Sequence, residues 1–306
     1  MHIRIATRKS ALALWQAEFV AERLRREKGV AAVSLVPLST RGDEVLDRSL
    51  QKIGGKGLFI KELELAIQTG DADIAVHSMK DVPADLPAGF CIAAVLERAS
   101  AFDALVSGKA ENLNALPRGA IVGSSSLRRQ AQLLALRPDL EIRPLRGNVN
   151  TRLARLREGH FDAIILACAG LERLGLAQHI RERIGIATML PAAAQGVIGI
   201  ECRSEQRDLR QLLERLDHPE TKQTTCAERA VARHLQASCH SPVASYAIVQ
   251  QGKLLLRALV ASADGRKVLR QEMTADIERA DTLGTQVAQS LLDDGAAELL
   301  AGTGDA

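Results

Sequence analysis

Three times in this chain a short apolar run breaks at a turn rich in cations or hydroxyls and resumes as a helix. Residues 2–7 pass through Thr7-Arg8-Lys9-Ser10 into an amphipathic helix to about residue 28. Residues 120–123 pass through Gly123-Ser124-Ser125-Ser126 into a helix that opens Leu127-Arg128-Arg129 and runs to about residue 136. Residues 140–145 are followed by Arg146-Gly147-Asn148-Val149-Asn150-Thr151-Arg152, another basic strand-to-helix turn. Strands that alternate with helices bury their apolar residues in a mostly parallel sheet, with ligands taken at the carboxyl ends of the strands. Helix N-termini there present unpaired N–H groups and a positive dipole end, which suit an anion. In the first helix Ser10 is the expected cap, with Leu12, Trp15, Phe19 and Leu24 on the buried side. The three serines before Leu127 have two readings, as helix caps or as hydroxyl ligands of an anion.

Residues 74–83, Ile74-Ala75-Val76-His77-Ser78-Met79-Lys80-Asp81-Val82-Pro83, form a strand that ends on ionisable groups. On an extended segment the adjacent Lys80 and Asp81 point to opposite faces and need not pair. They read either as solvated charges at a strand end or as a charged pair delivered to a site. Between residues 31–40 and this strand lie Arg41-Gly42-Asp43 and the loop Lys52-Ile53-Gly54-Gly55-Lys56-Gly57. That loop lacks the Gly-Lys-Ser/Thr ending of a phosphate loop, so it reads as a mobile or anion-touching segment.

The pattern breaks near residues 98–101 and again over 190–200, where small residues allow a return crossing. Two α/β lobes joined by two crossings, with anion sites facing a cleft, is the architecture of type II periplasmic binding proteins. The expected division is 1–98 with 197–216 as lobe 1, 99–196 as lobe 2, and 217–306 as a small α+β domain. That last domain has a helix from His218-Pro219 to about Gln236, strands over 245–250, 253–260 and 267–273, and a helix over 276–292.

Of the 40 basic residues, 30 are Arg and 10 Lys, and the net charge is only +3, too small to argue for nucleic acid or a membrane surface. Aromatic residues, 2% of the chain, are too scarce for base stacking. The planar guanidinium fork suits carboxylates and phosphates, and residues 128–157 hold eight arginines and no lysine. The five cysteines show no metal-type spacing and no disulfide framework. Cys91, Cys168 and Cys202 sit in apolar runs as inert core residues. Cys239, in Ala237-Ser238-Cys239-His240-Ser241-Pro242, lies outside any helix or apolar strand and is the candidate reactive thiol. No signal peptide and no apolar run long enough to span a bilayer is expected, which points to the cytoplasm.

Taken together the motifs resemble the porphobilinogen deaminase family over nearly the whole chain. They are Arg4-Ile5-Ala6-Thr7-Arg8, Thr40-Arg41-Gly42-Asp43, Gly54-Gly55-Lys56-Gly57-Leu58-Phe59, Ala75 through Pro83, Ser125-Ser126-Leu127-Arg128-Arg129, Leu145-Arg146-Gly147-Asn148 and Asp162-Ala163-Ile164-Ile165-Leu166-Ala167. The resemblance implies an enzyme that deaminates porphobilinogen and joins four molecules head to tail, releasing a linear hydroxymethylbilane and ammonia. It implies a dipyrromethane cofactor held by a thioether to Cys239, although Ala237-Ser238 stand where the family commonly has Gly-Gly. The family's catalytic acid falls on Asp81. Its cofactor- and substrate-binding positions fall on Arg8, Ser10, Ser78, Lys80, Ser125, Ser126, Arg128, Arg129, Arg146, Arg152, Arg173 and Gln195, with Lys56 and Phe59 in a loop over the active site. No metal, nucleic acid or membrane partner is implied, and a monomer is the expected state. The competing reading from another class is a cytoplasmic solute-binding or effector-sensing module of the same lobe architecture, which needs no Cys239 adduct.

Overall fold

A computed structural model describes residues 1–40, 60–238 and 240–301. In chain order the principal elements are β1 (His2–Arg8), α1 (Ala11–Leu24), β2 (Ala32–Leu38), α2 (Lys61–Gln68), β3 (Ile74–Ser78) and β4 (Phe90–Val95). Next come β5 (Asp103–Ser107), β6 (Ile121–Gly123), α3 (Leu127–Leu136), β7 (Glu141–Arg143), α4 (Val149–Arg157), β8 (Ala163–Ala167), α5 (Cys168–Arg173) and β9 (Glu182–Ile184). The chain closes with β10 (Ile198–Arg203), α6 (Arg207–Leu213), α7 (Pro219–His234), β11 (Val243–Gln250), β12 (Lys253–Ala261), β13 (Val268–Asp276), α8 (Ala280–Asp293) and α9 (Ala296–Ala301).

Two compact units emerge, Met1–Arg98 with Val197–Lys222, and Ala99–Gly196 with Gln223–Ala306. The first is built on a five-stranded sheet of order β2-β1-β3-β10-β4. β1 pairs in parallel with β2 and β3, whereas β10 runs antiparallel to both β3 and β4. The second unit has a sheet of order β7-β6-β8-β5-β9, again with four strands running one way and one inserted antiparallel strand, β5. The two orders are the same once the strand that follows each crossing is set aside. This is the two-lobe arrangement expected of a type II binding protein, and each sheet is mixed rather than mostly parallel.

The second unit also carries the antiparallel sheet β11-β12-β13 under α8, with Leu254, Leu256, Leu283, Val287 and Leu291 all buried. An apolar contact of Ala131 on α3 and Leu190 with Ala244, Leu259 and Ala261 joins the helix and the segment before the crossing to this antiparallel sheet. Buried Glu228 on α7 reinforces it by accepting from the amides of Ala194 at 2.6 Å and Ala247 at 2.7 Å.

The stripe of α1 differs from the expected one. Its fully buried side is Ala17, Val20, Ala21 and Leu24, packed on Ile3, Ile5 and Ile74. Trp15 and Phe19 stack at the edge of that core, with ring centroids 4.9 Å apart. Small residues face a twisted sheet closely, so the large rings lie one position around the helix.

Candidate functional site

In the first unit, β1 and β3 lie side by side and end at Arg8 and Ser78. Parallel strands release their chains at the same edge, so the turns after them meet there. A cavity of about 70 Å³ opens at that edge, and Arg8, Ser10, His77, Ser78 and Asp81 line it. Ser10 also caps α1, accepting from the Ala13 amide at 3.4 Å, so one residue serves the helix and borders the cavity. The Ser78 hydroxyl is held by buried Gln16, whose amide nitrogen donates to it at 2.8 Å while Ser78 Oγ donates to Gln16 Oε1 at 3.2 Å.

The strand does not continue through the charged residues. Met79–Asp81 form a 3₁₀ turn closed by the Val82 amide donating to Met79 O, and the Met79 amide is fixed by Val197 O at 3.0 Å. The opposite-face placement of Lys80 and Asp81 is therefore corrected: a 3₁₀ turn does not alternate faces as a strand does. Lys80 is half-buried in this turn and Asp81 is exposed on the rim of the cavity. Directly behind, His77 Nε2 lies 2.7 Å from Oε2 of Glu201, a carboxylate with 0% exposure on β10. Gly199 stands opposite His77 in the β3–β10 register, so Glu201, two residues along the same face, reaches past it.

In the second unit the basic turns sit as the sequence places them, but their donors divide between internal and outward roles. Arg129 gives Nε and Nη2 to Asp103 Oδ1, at 3.1 and 2.7 Å, and Nη1 to Ile165 O at 3.0 Å. Arg128 donates Nη1 to Leu190 O at 2.7 Å, and the same nitrogen lies 2.8 Å from Asp103 Oδ2 as an ion pair rather than an aligned hydrogen bond. Nε and Nη2 of Arg128 have no hydrogen-bond partner among the described residues, although the residue is only 4% exposed. Gln195, 1% exposed, donates to Ala101 O at 2.7 Å and to Asp103 Oδ1 at 3.0 Å. Burial alone would raise the Asp103 carboxyl, but the two guanidinium charges overcome it and hold the group well below the ordinary carboxylate range. Asp103 and Gln195 thus form an anchor under the arginine pair. Sequence reasoning did not single out Asp103, and the available signal was an acid inside the apolar run Phe102-Asp103-Ala104-Leu105.

The hydroxyl turn shows the same division. Ser125 Oγ donates to Leu145 O and accepts from the Leu145 amide, both at 3.0 Å, tying this turn to the next basic one. Ser126 stands at the cap position of α3 without making a side-chain cap bond, while Asn148 caps α4 through the Thr151 amide at 3.0 Å. Gly147, at φ +97°, could carry no side chain there, since a Cβ would lie 2.8 Å from Thr151. Arg152 Nε donates to Gly147 O at 2.8 Å, and Arg146 is half-buried in the same turn. Arg173 donates to Gly196 O at 2.7 Å, and burial pulls its guanidinium down to about 10. At Gly196, φ +87°, a Cβ would come within 2.7 Å of Ala99 O, so the crossing strands pack backbone to backbone.

Lys56, Phe59 and Cys239 lie outside the described residues, as does Arg41-Gly42-Asp43. Of the remaining thiols, Cys91 and Cys202 face one another across β4 and β10 with sulfurs 3.9 Å apart, and burial first, then the neighbouring thiol, pushes Cys202 up to about 12. Burial also raises Cys168 and Cys226. Cys168, Cys202 and Cys226 are therefore not disposed toward thiolate chemistry. No helix among the described residues is long and apolar enough to cross a membrane. A second depression, about 160 Å³ among Met1, Lys28, Asp208 and Arg215, gathers no comparable set of groups.

Comparison with known proteins adds the following. Residues 3–211 match the family model described as porphobilinogen deaminase, dipyromethane cofactor binding domain, and residues 222–293 match porphobilinogen deaminase, C-terminal domain. The chain is 55% identical over 299 residues to a porphobilinogen deaminase of Xanthomonas euvesicatoria pv. vesicatoria, covering 98% of each. It is 54% identical, with the same coverage, to that of Xanthomonas axonopodis pv. citri.

Proposed function

The chain belongs to the porphobilinogen deaminase family, and on that premise we propose that it is a hydroxymethylbilane synthase. It deaminates four porphobilinogen molecules and joins them head to tail on a covalently held dipyrromethane, releasing the linear tetrapyrrole and ammonia. The observation that carries this reading is the grouping of Asp81, Arg8, Ser10 and Ser78 around one cavity at two paired strand ends.

The residues fit the chemistry. Porphobilinogen brings an acetate, a propionate and an aminomethyl group on a pyrrole. Arg8 at the cavity meets a carboxylate with a planar fork. Loss of ammonia leaves a delocalised cation on the substrate, and the Asp81 carboxylate at the rim stabilises it as a fixed negative charge, without reorganisation at the moment of reaction. Ser78, held by Gln16, presents its hydroxyl at a set position.

The donor set of the second unit suits a polycarboxylate cofactor. Among the described residues buried Arg128 keeps Nε and Nη2 without a hydrogen-bond partner, and Arg146, Arg152 and Arg173 also lie at strand ends and helix turns. Ser126 adds a hydroxyl donor there, and in the first unit Lys80 adds an ammonium beside Asp81. Arg129, Ser125 and Gln195 act one step back, because their donors already hold Asp103, Ile165, Leu145 and Ala101. Cys239 is the thioether attachment residue, with Lys56 and Phe59 in a loop over the site. When bound, the cofactor supplies the free pyrrole α-position on which chain growth starts. A cytoplasmic monomer completes the proposal.

Incubation with porphobilinogen tests the reading. Four equivalents of ammonia per linear tetrapyrrole are expected. Reversible porphobilinogen binding with no ammonia released would favour the solute-binding module instead.

A further inference from the structure

We propose that Met79, seated against Gly199, is a positioning residue that fixes where Asp81 meets the substrate, an inference that rests on the function proposed above. Asp81 is exposed on the rim of the first-unit cavity. Among the described residues its carboxylate has no hydrogen-bond or ion-pair partner. A charge that stabilises a cation without reorganisation needs its place set before the reaction. With no partner on the side chain, the main chain beneath Asp81 supplies that setting.

Met79 opens the 3₁₀ turn and ties it to β10. Its amide donates to Val197 O at 3.0 Å and its carbonyl accepts from the Val82 amide at 3.2 Å, so Asp81 lies within a turn whose two backbone bonds both involve Met79. The Met79 side chain is 2% exposed, and the space it fills exists because position 199 carries no side chain. A Cβ on Gly199 would fall on Met79 Sδ and 2.9 Å from Cγ, with Ile92 Cγ2 at 3.6 Å. Gly199 is not among the glycines of positive φ, so its backbone conformation does not call for glycine. Glycine weakens a strand interior and marks the close approach of a neighbour, and the neighbour here is the thioether. β10 pairs with β3 on one side and β4 on the other, which makes Gly199 part of a fixed platform under the turn.

Neither Met79 nor Gly199 lines the cavity, so both act on the chemistry only through the turn. A methyl group at position 199 expels the thioether, and the turn that Met79 opens moves with it and carries Asp81. Arg8 and Ser10 stand on β1 and at the start of α1 and keep their places at the cavity. Substrate capture is then retained while the carboxylate is displaced from the developing cation.

The test uses holoenzyme whose intact mass shows the adduct, and reads kcat and KM together with single-turnover ammonia release. Gly199→Ala is expected to lower kcat by roughly 10–10²-fold, as a displacement on the order of 1 Å does, with KM within about threefold of wild type. Met79→Leu, close in volume, should keep near wild-type kcat. The double variant Met79→Ala/Gly199→Ala, in which the methyl no longer meets a thioether, should turn over faster than Gly199→Ala alone. The decisive comparison is made in Asp81→Asn, where no carboxylate is left to position. There Gly199→Ala should not slow the residual ammonia release further, whereas a general loosening of the fold would slow both backgrounds alike. Wild-type kcat in Gly199→Ala, an equal further loss in the Asp81→Asn background, or near wild-type release by Asp81→Asn itself would overturn the proposal. If Gly199→Ala does not fold, Met79→Ala takes its place in both backgrounds and the same outcomes decide. Failure of the function proposed above is a different result, since wild type itself would then release no ammonia.

Discussion

Asp103→Ala is the perturbation that the second unit should feel most. Asp103 has no exposure, and it faces Arg128 and Arg129, both nearly buried, with Gln195 on the same oxygen as Arg129. Removing the carboxylate leaves two adjacent guanidinium groups inside the protein without counter-charge. Breaking a buried ionic network from one side costs about 3–5 kcal/mol, most of it the uncompensated charge. At about 2–4 °C per kcal/mol for a folding unit of roughly 150–250 residues, the melting temperature should fall by about 6–20 °C. Calorimetry with circular dichroism reads this directly. The pH dependence gives a second check with a definite sign. The folded-state carboxyl is held below its unfolded value near 3.9. Its stabilisation is therefore fully present above about pH 4 and is lost as pH falls below that. Wild type should lose stability in this acid range more steeply than Asp103→Ala. A shift under about 1 kcal/mol, with the acid limb unchanged, would refute the view that Asp103 anchors the arginine pair.

The two arginines should separate under the same substitution. Arg129→Lys replaces a fork that reaches Asp103 and Ile165 at once and should lower the melting temperature more than Arg128→Lys, whereas Arg128→Lys should weaken porphobilinogen turnover or cofactor loading more than its effect on melting; equal effects on both readouts would erase the distinction. Asp81→Ala should keep the covalent adduct by intact mass and lose turnover by roughly 10²-fold or more, and near-normal turnover would remove Asp81 from the chemistry. At pH 8 an alkylating reagent should leave Cys202 unlabelled in the native protein, because its thiol is pushed up to about 12; rapid labelling there, checked by peptide mapping, would contradict the burial.

The strand-turn-helix units were legible because apolar period and turn chemistry are local. That is why β1, β3, β6 and β8 and the turns carrying Arg8, Ser125 and Arg146 stand near their expected places. What stayed hidden is non-local. Asp103 reads in sequence as a solvated acid, and only the pairing of β5 with β8 brings it under α3. Glu201 lies 124 residues from His77, and its role depends on β10 being inserted antiparallel beside β3. The antiparallel strands β5 and β10 themselves arise from the crossings, which strand periodicity does not encode. Lys80 and Asp81 were misplaced in orientation because an apolar run followed by charges looks like one strand, while the Met79 amide bonding Val197 turns it into a 3₁₀ end. Adjacent arginines likewise look equivalent in a motif, and only the hydrogen bonds separate the anchor from the donor.

The most direct test of the whole account is the intact mass of the purified chain and of Cys239→Ser. The account predicts an added mass equal to two porphobilinogen-derived pyrroles in the wild type and none in Cys239→Ser, which should also lack turnover. A wild-type chain that releases tetrapyrrole while carrying no adduct would contradict it.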